Sequence, residues 1–411
     1  MKSQISVIGV GYIGLPTAAI LASKGFDVSA VDTNQDVICK LLSGNFNYME
    51  PGLNEILALA IQSGKLSPAP KPVKSDIFII AVPTPFGENH QSDLKFVFAA
   101  IDSIIPVLEP GNLVIVESTV PIGTTEGIAK TIRAKRPDLT IGSSDKSIFL
   151  AHCPERVLPG HILQELIENS RIIGGINPSS TVKATNFYQE FVRGELFPTD
   201  SKTAELSKLA ENTYRDVNIA LANEFSLICQ DNSIDVWEMI RLANRHPRVN
   251  ILNPGPGVGG HCIAVDPWFI IENAPKQTKI IRAAREINES MPSRVVNEIT
   301  LLAEKFTSPI IACLGLTYKP NVSDYRESPA LEIVKNLAKE SNNHILVVEP
   351  NVEQASALFG AFYNVQLRNL EDALNEADIV VVLVAHNQFL NIDRTKISGK
   401  IIVDKVGIWR E

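Results

Sequence analysis

A cysteine at the end of a glycine-rich loop is the first candidate for chemistry. Cys262 closes the segment Gly255–Cys262, G-P-G-V-G-G-H-C, and Asp266 follows it by four residues. Glycines allow the close approach of a ligand, and a thiolate is an effective nucleophile where nearby donors or cations favour it. Asp266 is suitably placed to transfer protons. The alternative is a buried, inert cysteine, which we expect of the apolar sites Cys39, Cys229 and Cys313.

A stripe of polar residues lies on the predicted helix Thr203–Cys229. Lys208, Asn212 and Arg215 have the spacing i, i+4, i+7 and therefore share one helix face. A solvated face accounts for such a stripe in most helices. A lysine in a partly buried cleft can instead stabilise an oxyanion or transfer a proton. Both interpretations stay open at this point.

A carboxylate follows the predicted strand Ser147–Ala151, in the segment Cys153-Pro154-Glu155-Arg156. A glutamate at a strand end can act as a general base on water. It can equally be a surface carboxylate, which is the commoner case.

The segment Gly9–Gly14, G-V-G-Y-I-G, joins the first predicted strand to a helix, and Asp32 ends the second strand. Glycines in this pattern allow a tight turn, backbone approach to a pyrophosphate at the helix N-terminus, and close helix–strand packing. Asp32 would accept hydrogen bonds from ribose hydroxyls, which favours NAD over NADP. A structural turn without a ligand is the alternative. The predicted cofactor-binding residues here are Gly9, Gly11, Tyr12, Ile13, Gly14 and Asp32.

Two further strand ends are candidates for the same crevice. Thr84 ends the run that begins at Asp76, and Thr119 ends the run that begins at Asn112. Ligands bind at the carboxyl ends of parallel strands, so both hydroxyls are candidate cofactor contacts. Capping of a strand end is the alternative role.

Short Val/Ile-rich runs alternate with helical stretches over the first part of the chain, which predicts a doubly wound parallel sheet. The predicted strands are Ile5–Ile8, Val28–Val31, Asp76–Val82, Asn112–Glu117, Ser147–Ala151 and Arg171–Ile173. Helical sequence follows to about His246 and again over roughly Gln277–Phe306. The last strands are predicted at Pro309–Gly315, His344–Val348, Ile379–Val384 and Lys400–Val403.

The predicted fold class is therefore α/β, with two Rossmann-like sheets joined by an all-α central domain. The predicted boundaries are 1–195 for an NAD-binding domain, 196–305 for the helical domain and 306–411 for the second α/β domain.

The composition excludes several classes of protein. The chain has 411 residues, 45% of them apolar, and a formal net charge of −8. Intrinsic disorder and binding to nucleic acid are therefore excluded. Five widely spaced cysteines without a C-x-x-C pair predict neither a disulfide framework nor a zinc cluster, and suit a reducing cytoplasm. We find no signal peptide and no apolar run near the ~20 residues of a membrane helix.

Together these segments resemble the nucleotide-sugar 6-dehydrogenases, the UDP-glucose/GDP-mannose dehydrogenase superfamily, over nearly the whole chain. The resemblance rests on the glycine fingerprint with Asp32, P-T-P at 83–85, E-S-T-x-P-x-G at 117–123, C-P-E-R at 153–156, the Lys208/Asn212 helix, G-G-H-C at 259–262, and G-L-T-Y-K-P at 315–320 followed by D-Y-R-E-S-P at 324–329.

The resemblance implies a four-electron oxidation of a sugar C6 alcohol to a carboxylate with two NAD. Cys262 would attack the aldehyde intermediate, and a thioester would form and be hydrolysed. Lys208 and Asn212 would stabilise oxyanions, Asp266 would assist proton transfer and Glu155 would assist hydrolysis.

A UDP-sugar substrate and a homodimer are also implied, with no role for a metal. The implied substrate-binding residues are Arg156, Val157, Lys208, Asn212, Arg215, His246, Arg248, Gly259, Tyr318, Lys319 and Arg326.

One branch of the superfamily is most similar. The phrase R-H-P-R-V-N at 245–250, which runs into the cysteine loop, resembles the branch that oxidises UDP-N-acetyl-D-mannosamine. UDP-glucose enzymes usually carry serine at the position of His261 and a second glutamate at that of Pro159. The family often has a basic residue at the position of Val406, whereas this chain has Lys405.

Several alternatives remain. UDP-N-acetylglucosamine or UDP-glucose could be the substrate of the same chemistry. An ordinary two-electron hydroxy-acid dehydrogenase would share the fold and a lysine but would not need the cysteine. A non-catalytic NAD sensor belongs to a different class altogether.

Overall fold

The structure is a computed structural model that describes residues 2–44, 46–48, 50–87, 90–142, 144–158, 160–340, 343–350, 355–360 and 362–409. Pro159, which bears on the family comparison, lies outside the described residues. Contacts along the chain divide it into two compact units, Met1–Ala210 and Glu211–Glu411.

The first unit is built on one sheet. Its strands are β1 Gln4–Ile8, β2 Asp27–Val31, β3 Leu66–Ala69, β4 Ile77–Ile80, β5 Leu113–Val116, β6 Thr140–Ile141, β7 Ser147–His152, β8 Arg171–Gly175 and β9 Leu196–Asp200. They lie in the order β3-β2-β1-β4-β5-β7-β8-β9, with β6 beside β7. Among the described pairs only β7 and β8 run antiparallel, through the pairs Ala151–Gly175 and His152–Gly174.

Helices cover both faces of this sheet. They are α1 Gly14–Ser23, α2 Gln35–Ser43, α3 Leu53–Gln62, α4 Lys95–Ile104, α5 Thr124–Lys135, α6 Ile162–Glu168 and α7 Pro178–Gln189. Successive strand residues point to opposite faces, so Ile79 packs with α1, α3, α6 and α7 while Phe78 packs with α4 and α5. This double burial explains why the strands are continuous apolar runs.

The helix α8, Ser201–Asp231, begins in the first unit and continues in the second. The second unit also contains α9 Val236–Ala243, α10 Asp266–Asn273 and α11 Lys279–Ala303. A buried ion pair fixes α8 to α11, since Arg285 Nη1 lies 2.7 Å from Asp216 Oδ1. Asn288 donates to the same carboxylate oxygen at 2.8 Å.

The second unit carries its own parallel sheet. Its strands are β10 Ile310–Leu314, β11 His344–Val348, β12 Val365–Leu367, β13 Ile379–Val382 and β14 Ile401–Asp404, in the order β12-β11-β10-β13-β14. Its helices are α12 Pro329–Glu340, α13 Leu370–Glu376 and α14 Asn387–Leu390. None of the helices that the structure describes is both long and apolar enough to cross a membrane.

The predicted fold class is confirmed: two doubly wound sheets, with a helical stretch between them in the sequence. Four strands were not predicted, namely β3, β6, β9 and β12. Pro68 lies in β3 and Pro198 in β9, and both strands are at sheet edges, where a missing ladder donor is tolerated. β6 and β12 have only two and three residues. The three-domain division stays a prediction.

Candidate functional site

The glycine-rich turn between β1 and α1 leaves space where a cofactor could approach. Gly9 has φ +89°, and a Cβ there would lie 2.7 Å from the carbonyl oxygen of Ala81. A Cβ on Gly14 would lie 1.9 Å from the Gly9 oxygen, so this glycine is required for helix–strand packing. At Gly11, by contrast, a Cβ would meet nothing within 4 Å. The second glycine therefore faces open space, as dinucleotide binding requires.

Charge and hydrogen bonding at this turn also fit a dinucleotide. Asp32 accepts from the amide of Val10 at 3.1 Å and from that of Asn34 at 2.8 Å, so its carboxylate is held beside the turn. The N-cap residue of α1, Ile13, makes no side-chain capping hydrogen bond at this helix N-terminus, where amides and the helix dipole favour an anion. Tyr12 is exposed and Ile13 is half-buried. These residues can hold NAD.

A serine joins the two threonine-containing strand ends. Ser118 Oγ accepts from the Val82 amide at 2.9 Å and donates to the Val82 carbonyl at 2.7 Å. Thr84 and Thr119 follow this link on their respective chain segments, and both are half-buried. The structure thus brings the two strand ends together, while the cofactor contacts of the threonines stay a prediction.

Glu155 belongs to a buried cluster of charged groups rather than to the surface. Arg171 Nη2 lies 2.8 Å from Glu155 Oε2, and Arg171 Nη1 lies 3.9 Å from Glu117 Oε1. Tyr188 Oη donates to Glu117 Oε1 at 2.8 Å. The Glu155 side chain is 10% exposed and that of Glu117 is 1% exposed. The Arg171 guanidinium therefore lies close to two carboxyl groups, one of which belongs to the C-P-E-R segment.

Burial decides the protonation of this cluster. It raises the pKa of Glu117 to about 7, with Arg171 opposing the shift and Glu155 adding to it. Burial also raises the pKa of the Tyr188 hydroxyl and of the Cys153 thiol well above their usual ranges. Near neutral pH the Glu117 carboxyl is therefore close to half-protonated beside the Arg171 cation.

His152 ends β7 and is fully buried. Neither of its ring nitrogens has a hydrogen-bond partner among the described residues. Burial lowers the pKa of His152 to about 3, with the backbone of Val116 opposing the shift and the charge of Lys208 adding to it. Lys208 is itself buried, which contradicts the interpretation of its helix stripe as a solvated face at this position. A neutral imidazole thus lies within electrostatic reach of the candidate catalytic lysine.

Side chains on α8 and α11 hold the cysteine loop of the second unit. Asn223 Oδ1 accepts from the Gly255 amide at 2.8 Å, and Asn223 Nδ2 donates to Asn288 at 2.9 Å. At the other end of the loop the Asp266 amide donates to the carbonyl of Cys262 at 2.9 Å. The loop is therefore anchored on both sides of the thiol.

Asn212 and Asp266 are in direct contact. Asn212 Nδ2 donates to Asp266 Oδ2 at 2.6 Å, and both side chains are buried. Cys262 is exposed and lies one α-turn before Asp266. Asn212 is also one turn along α8 from Lys208. The structure thus joins the amide of Asn212 to the carboxylate that follows the thiol loop, 54 residues further along the chain.

The loops of the second sheet pack closely against the cysteine loop. A Cβ on Gly259 would lie 2.2 Å from the Glu327 carbonyl oxygen, and a Cβ on Gly260 would lie 2.8 Å from the ring of Tyr318. Burial, Asp324 and Cys262 raise the pKa of Tyr318. The glycines preceding the thiol are therefore needed for contact with the segment that contains Tyr318.

The predicted substrate-binding residues lie in contrasting surroundings. Arg326 pairs with Asp324 at 2.7 Å and lies near His261, whose pKa is lowered by burial and by that guanidinium. Val157 is half-buried and packs against the core of the first unit. The Arg156 guanidinium donates to the Ser170 carbonyl. Lys319 is half-buried, and the remaining cationic or imidazole side chains, Arg215, His246 and Arg248, are exposed.

The structure also shows the surroundings of the other cysteines and of Lys405. Cys229 and Cys313 are buried as predicted, and burial raises the pKa of Cys313 to about 12, but the prediction for Cys39 is wrong because it is exposed. Lys405 forms an ion pair with Glu298 of α11. Among the described residues no group of three or more His, Cys, Asp or Glu side chains could hold a metal ion.

Sequence reasoning missed His152, Arg171 and Asn223 as parts of the site. The available signal was weak: a histidine and an arginine in otherwise apolar strands, and an asparagine within a helix. A charged or polar residue in a buried strand or helix needs a partner, and that requirement could have singled them out.

Comparison with known proteins gives consistent matches along the chain. The UDP-glucose/GDP-mannose dehydrogenase family is matched by its NAD binding domain over residues 3–192, its central domain over 202–290 and its UDP binding domain over 312–411.

Individual relatives cover almost the whole chain. A Ralstonia nicotianae protein named NDP-N-acetyl-D-galactosaminuronic acid dehydrogenase is 49% identical, covering 98% of this chain and 96% of its own. The UDP-N-acetyl-D-mannosamine dehydrogenase of Escherichia coli K12 is 48% identical, covering 99% of each chain. A solved structure of the UDP-N-acetyl-mannosamine dehydrogenase from Staphylococcus aureus is 43% identical, with a TM-score of 0.89, covering 100% of this chain and 96% of that one.

Proposed function

Because the chain belongs to the UDP-glucose/GDP-mannose dehydrogenase family, we propose that it oxidises the C6 alcohol of UDP-N-acetyl-D-mannosamine to the mannosaminuronate. The observation that carries this proposal is the Asn212–Asp266 hydrogen bond of 2.6 Å, one turn beyond the exposed Cys262. A two-electron dehydrogenase has no need of a thiol on a glycine-rich loop with a carboxylate and an amide fixed beside it. A four-electron enzyme must keep its aldehyde intermediate, and a covalent tether does so.

Each candidate residue has a defined task in this reaction. NAD, when bound, accepts the hydride in each of the two oxidations. Cys262 Sγ adds to the C6 aldehyde and gives a thiohemiacetal, whose oxidation leaves a thioester. Asn212 and Lys208 stabilise the negative oxygen at C6, and Asp266 takes up or returns the proton.

Hydrolysis completes the reaction. Water adds to the thioester carbon, the carbon–sulfur bond breaks, and its electron pair returns to the cysteine sulfur as the carboxylate leaves. We assign the proton transfer from water to Glu155, whose carboxylate is held by Arg171 at 2.8 Å.

The substrate proposal has one serious competitor. Relatives with almost equal identity are named for N-acetylmannosamine and for N-acetylgalactosaminuronic acid, so a nucleotide-linked N-acetylgalactosamine is the second candidate. Both names specify an N-acetylated sugar, and the comparisons do not favour the UDP-glucose or UDP-N-acetylglucosamine alternatives.

We further propose a homodimer that forms through α8. Leu206, Tyr214, Leu221 and Ile228 are exposed apolar side chains on this helix, at spacings of eight, seven and seven residues. Near-heptad spacing places them along one seam, which a second copy of the helix can cover. Leu221→Glu with Ile228→Glu should convert a dimer into a monomer in light scattering, and a wild-type protein that is already monomeric would contradict the proposal.

The three domains proposed are 1–195, 196–305 and 306–411, and the boundaries of the family matches support them. A cytoplasmic location is also proposed, because no disulfide joins the five cysteines, all of which the structure describes.

The decisive experiment measures NADH yield against a panel of sugar nucleotides. With excess NAD and limiting UDP-N-acetylmannosamine, we expect about two NADH per sugar. The panel also contains UDP-N-acetylgalactosamine, UDP-N-acetylglucosamine and UDP-glucose. A yield of one NADH from every sugar would rule out the four-electron reaction, and no NADH at all with tight NAD binding would indicate a sensor.

A pair of cysteine variants tests the nucleophile. Cys262→Ala should abolish acid formation while NAD affinity stays within about twofold, because the thiol is part of the covalent step and not of the cofactor site. Cys39→Ala is the matched control, since Cys39 is also exposed but lies on α2. Normal turnover in the Cys262 variant would remove this residue from the mechanism.

A further inference from the structure

A buried histidine braces the loop that contains Tyr318 and Lys319. His386 follows β13 and is 1% exposed. Its Nδ1 accepts from the backbone amide of Asn321 at 3.0 Å, so the ring proton is on Nε2. Nε2 lies 3.1 Å from Thr317 Oγ1. One imidazole thus contacts residues near both ends of the segment Gly315–Asn321.

The contacts of Thr317 extend this brace to the backbone of Lys319. Thr317 Oγ1 donates to the Lys319 carbonyl at 2.9 Å while it lies beside His386 Nε2. A hydroxyl can accept one hydrogen bond and donate another, so imidazole, hydroxyl and carbonyl form one chain. The geometry of Lys319 therefore depends on His386 through a single intermediate atom.

The end of the loop has a left-handed backbone conformation. Asn321 has φ +58°, in a region that asparagine adopts more readily than most other residues with a side chain. Asn387, next to His386, fixes it by a reciprocal pair: the Asn387 amide donates to Asn321 Oδ1 at 3.0 Å, and Asn321 Nδ2 donates to Asn387 Oδ1 at 3.1 Å.

The start of the loop is held by a carboxylate that also lies beside the imidazole, since Glu349 Oε2 is 3.6 Å from His386 Nε2. The buried Glu349 carboxylate accepts from the Leu316 amide at 2.8 Å, and Ser328 Oγ donates to the Leu316 carbonyl at 2.6 Å. Removal of the imidazole would therefore loosen the stretch from Thr317 to Asn321, which keeps the bond from the Tyr318 amide to the Asp324 carbonyl at 3.1 Å and the pair between Asn321 and Asn387. That stretch contains Tyr318, whose ring packs on Gly260 in the cysteine loop.

We propose that His386 is a positioning residue for nucleotide-sugar binding: it fixes Tyr318 and Lys319 in their binding geometry through Thr317 and Asn321. The inference rests on the proposed function, together with the expected role of Lys319 in binding the nucleotide sugar. In this scheme His386 acts on the loop that binds the sugar nucleotide, so its loss should change affinity for the sugar nucleotide more than the chemical steps.

The test separates the two Michaelis constants. His386→Ala should raise KM for UDP-N-acetylmannosamine about tenfold, because an ordered loop is replaced by a mobile one that must be ordered on binding. KM for NAD and kcat should change by less than about twofold. His344→Ala is the matched control, since His344 lies on β11 of the same sheet and has no side-chain contact with this loop among the described hydrogen bonds.

A second variant covers the case in which His386→Ala does not fold. Thr317→Val is nearly isosteric, keeps the packing and breaks only the link from the imidazole to Lys319. It should raise KM for the sugar nucleotide severalfold, again with KM for NAD unchanged. Trp409, whose indole donates to the Phe389 carbonyl at 2.7 Å, reports by its fluorescence that the second sheet is intact.

Lys319→Met distinguishes failure of this inference from failure of the proposed function. If Lys319→Met raises KM for the sugar nucleotide but Thr317→Val and folded His386→Ala do not, the positioning role is refuted. If Lys319→Met has no effect on that KM, Lys319 does not bind the nucleotide sugar and the positioning proposal is refuted with it. Equal changes in both Michaelis constants and kcat would show that His386 serves folding alone.

Discussion

Protonation of His152 should make the stability of the first unit depend on pH. Burial lowers the pKa of this histidine to about 3 in the folded chain, whereas its ordinary value is 6.5. The unfolded chain therefore binds the proton first as the pH falls. Folded-state stability is lost progressively from about pH 6.5 down to about pH 3, by roughly 1.4 kcal/mol per pH unit.

Glu117 acts in the opposite direction over an overlapping range. Burial raises its pKa to about 7, above the ordinary value of 4.5, so the folded chain binds this proton first. Stability gained from Glu117 is present below pH 4.5 and is lost as the pH rises through about 7. Between pH 6.5 and 4.5 the two contributions have similar slopes and opposite signs. In the wild-type protein the two contributions to the unfolding free energy should therefore largely cancel over this pH range.

The substitution His152→Leu exposes the effect. It removes one titration and places an apolar side chain where two ring nitrogens have no partner among the described residues. Relative to the wild type, the variant should gain about 3 kcal/mol of unfolding free energy between pH 6.5 and pH 4.5, from two pH units at roughly 1.4 kcal/mol each. Above pH 7.5 this pH-dependent difference should vanish.

The assay must report on the first unit alone. Trp237, Trp268 and Trp409 all lie in the second unit, so fluorescence follows the wrong part of the chain. Native-state hydrogen exchange at the amides of β5 and β7, corrected for the intrinsic pH dependence of exchange, gives the required opening free energies. Tryptophan fluorescence then serves as the internal control.

A control variant and a refuting result complete the test of His152. His161→Asn, an exposed histidine of the same unit, is the matched control and should follow the wild-type curve. Parallel curves for the wild type and His152→Leu from pH 7.5 to pH 4.5 would refute the account of His152 as a buried neutral imidazole.

The remaining predictions concern the two glycine-rich loops. Gly11→Ala should fold normally, since a Cβ there meets nothing within 4 Å, but should weaken NAD binding at least tenfold in titration calorimetry. Gly14→Ala should destabilise the first unit by several kcal/mol, because its Cβ would lie 1.9 Å from a backbone oxygen; normal stability would contradict the packing. Asn223→Ala should cost about 1–3 kcal/mol in tryptophan-monitored denaturation, because the Gly255 amide loses its acceptor, and an unchanged midpoint would show that solvent replaces the bond.

The parts of the fold that sequence predicts best are those where burial fixes the residue pattern. β4 and β5 are buried along their whole length, and their unbroken apolar runs follow directly. Burial constrains the residue types of edge strands less. Pro198 and the exposed residues of β9 are compatible with a position at the sheet edge, but they interrupt the apolar run by which a strand is predicted. The antiparallel pairing of β7 with β8 depends on contacts between separate segments, which local periodicity in the sequence does not reveal.

The same distinction applies to the site. Gly9, Gly11 and Gly14 act within one turn, so their spacing alone carries the physical requirement. The partner of Glu155 is Arg171, 16 residues further along the chain, and Glu117 joins them from another strand. Which buried charges meet is decided by the order of strands in the sheet. A sequence can indicate that a buried arginine needs carboxylates, but not which ones.

Acceptor side chains on α8 explain how this helix does more than carry candidate catalytic groups. In the first unit Glu205 accepts from the amides of Gly123 and Thr125, at 2.6 and 2.8 Å, and so caps the N-terminus of α5. In the second unit Asn223 accepts from the amide of Gly255. Each loop amide would otherwise be left without a partner in a poorly solvated place, which is expensive. The acceptors that α8 carries therefore help to hold one loop in each unit, and no proline or glycine interrupts the helix that carries them.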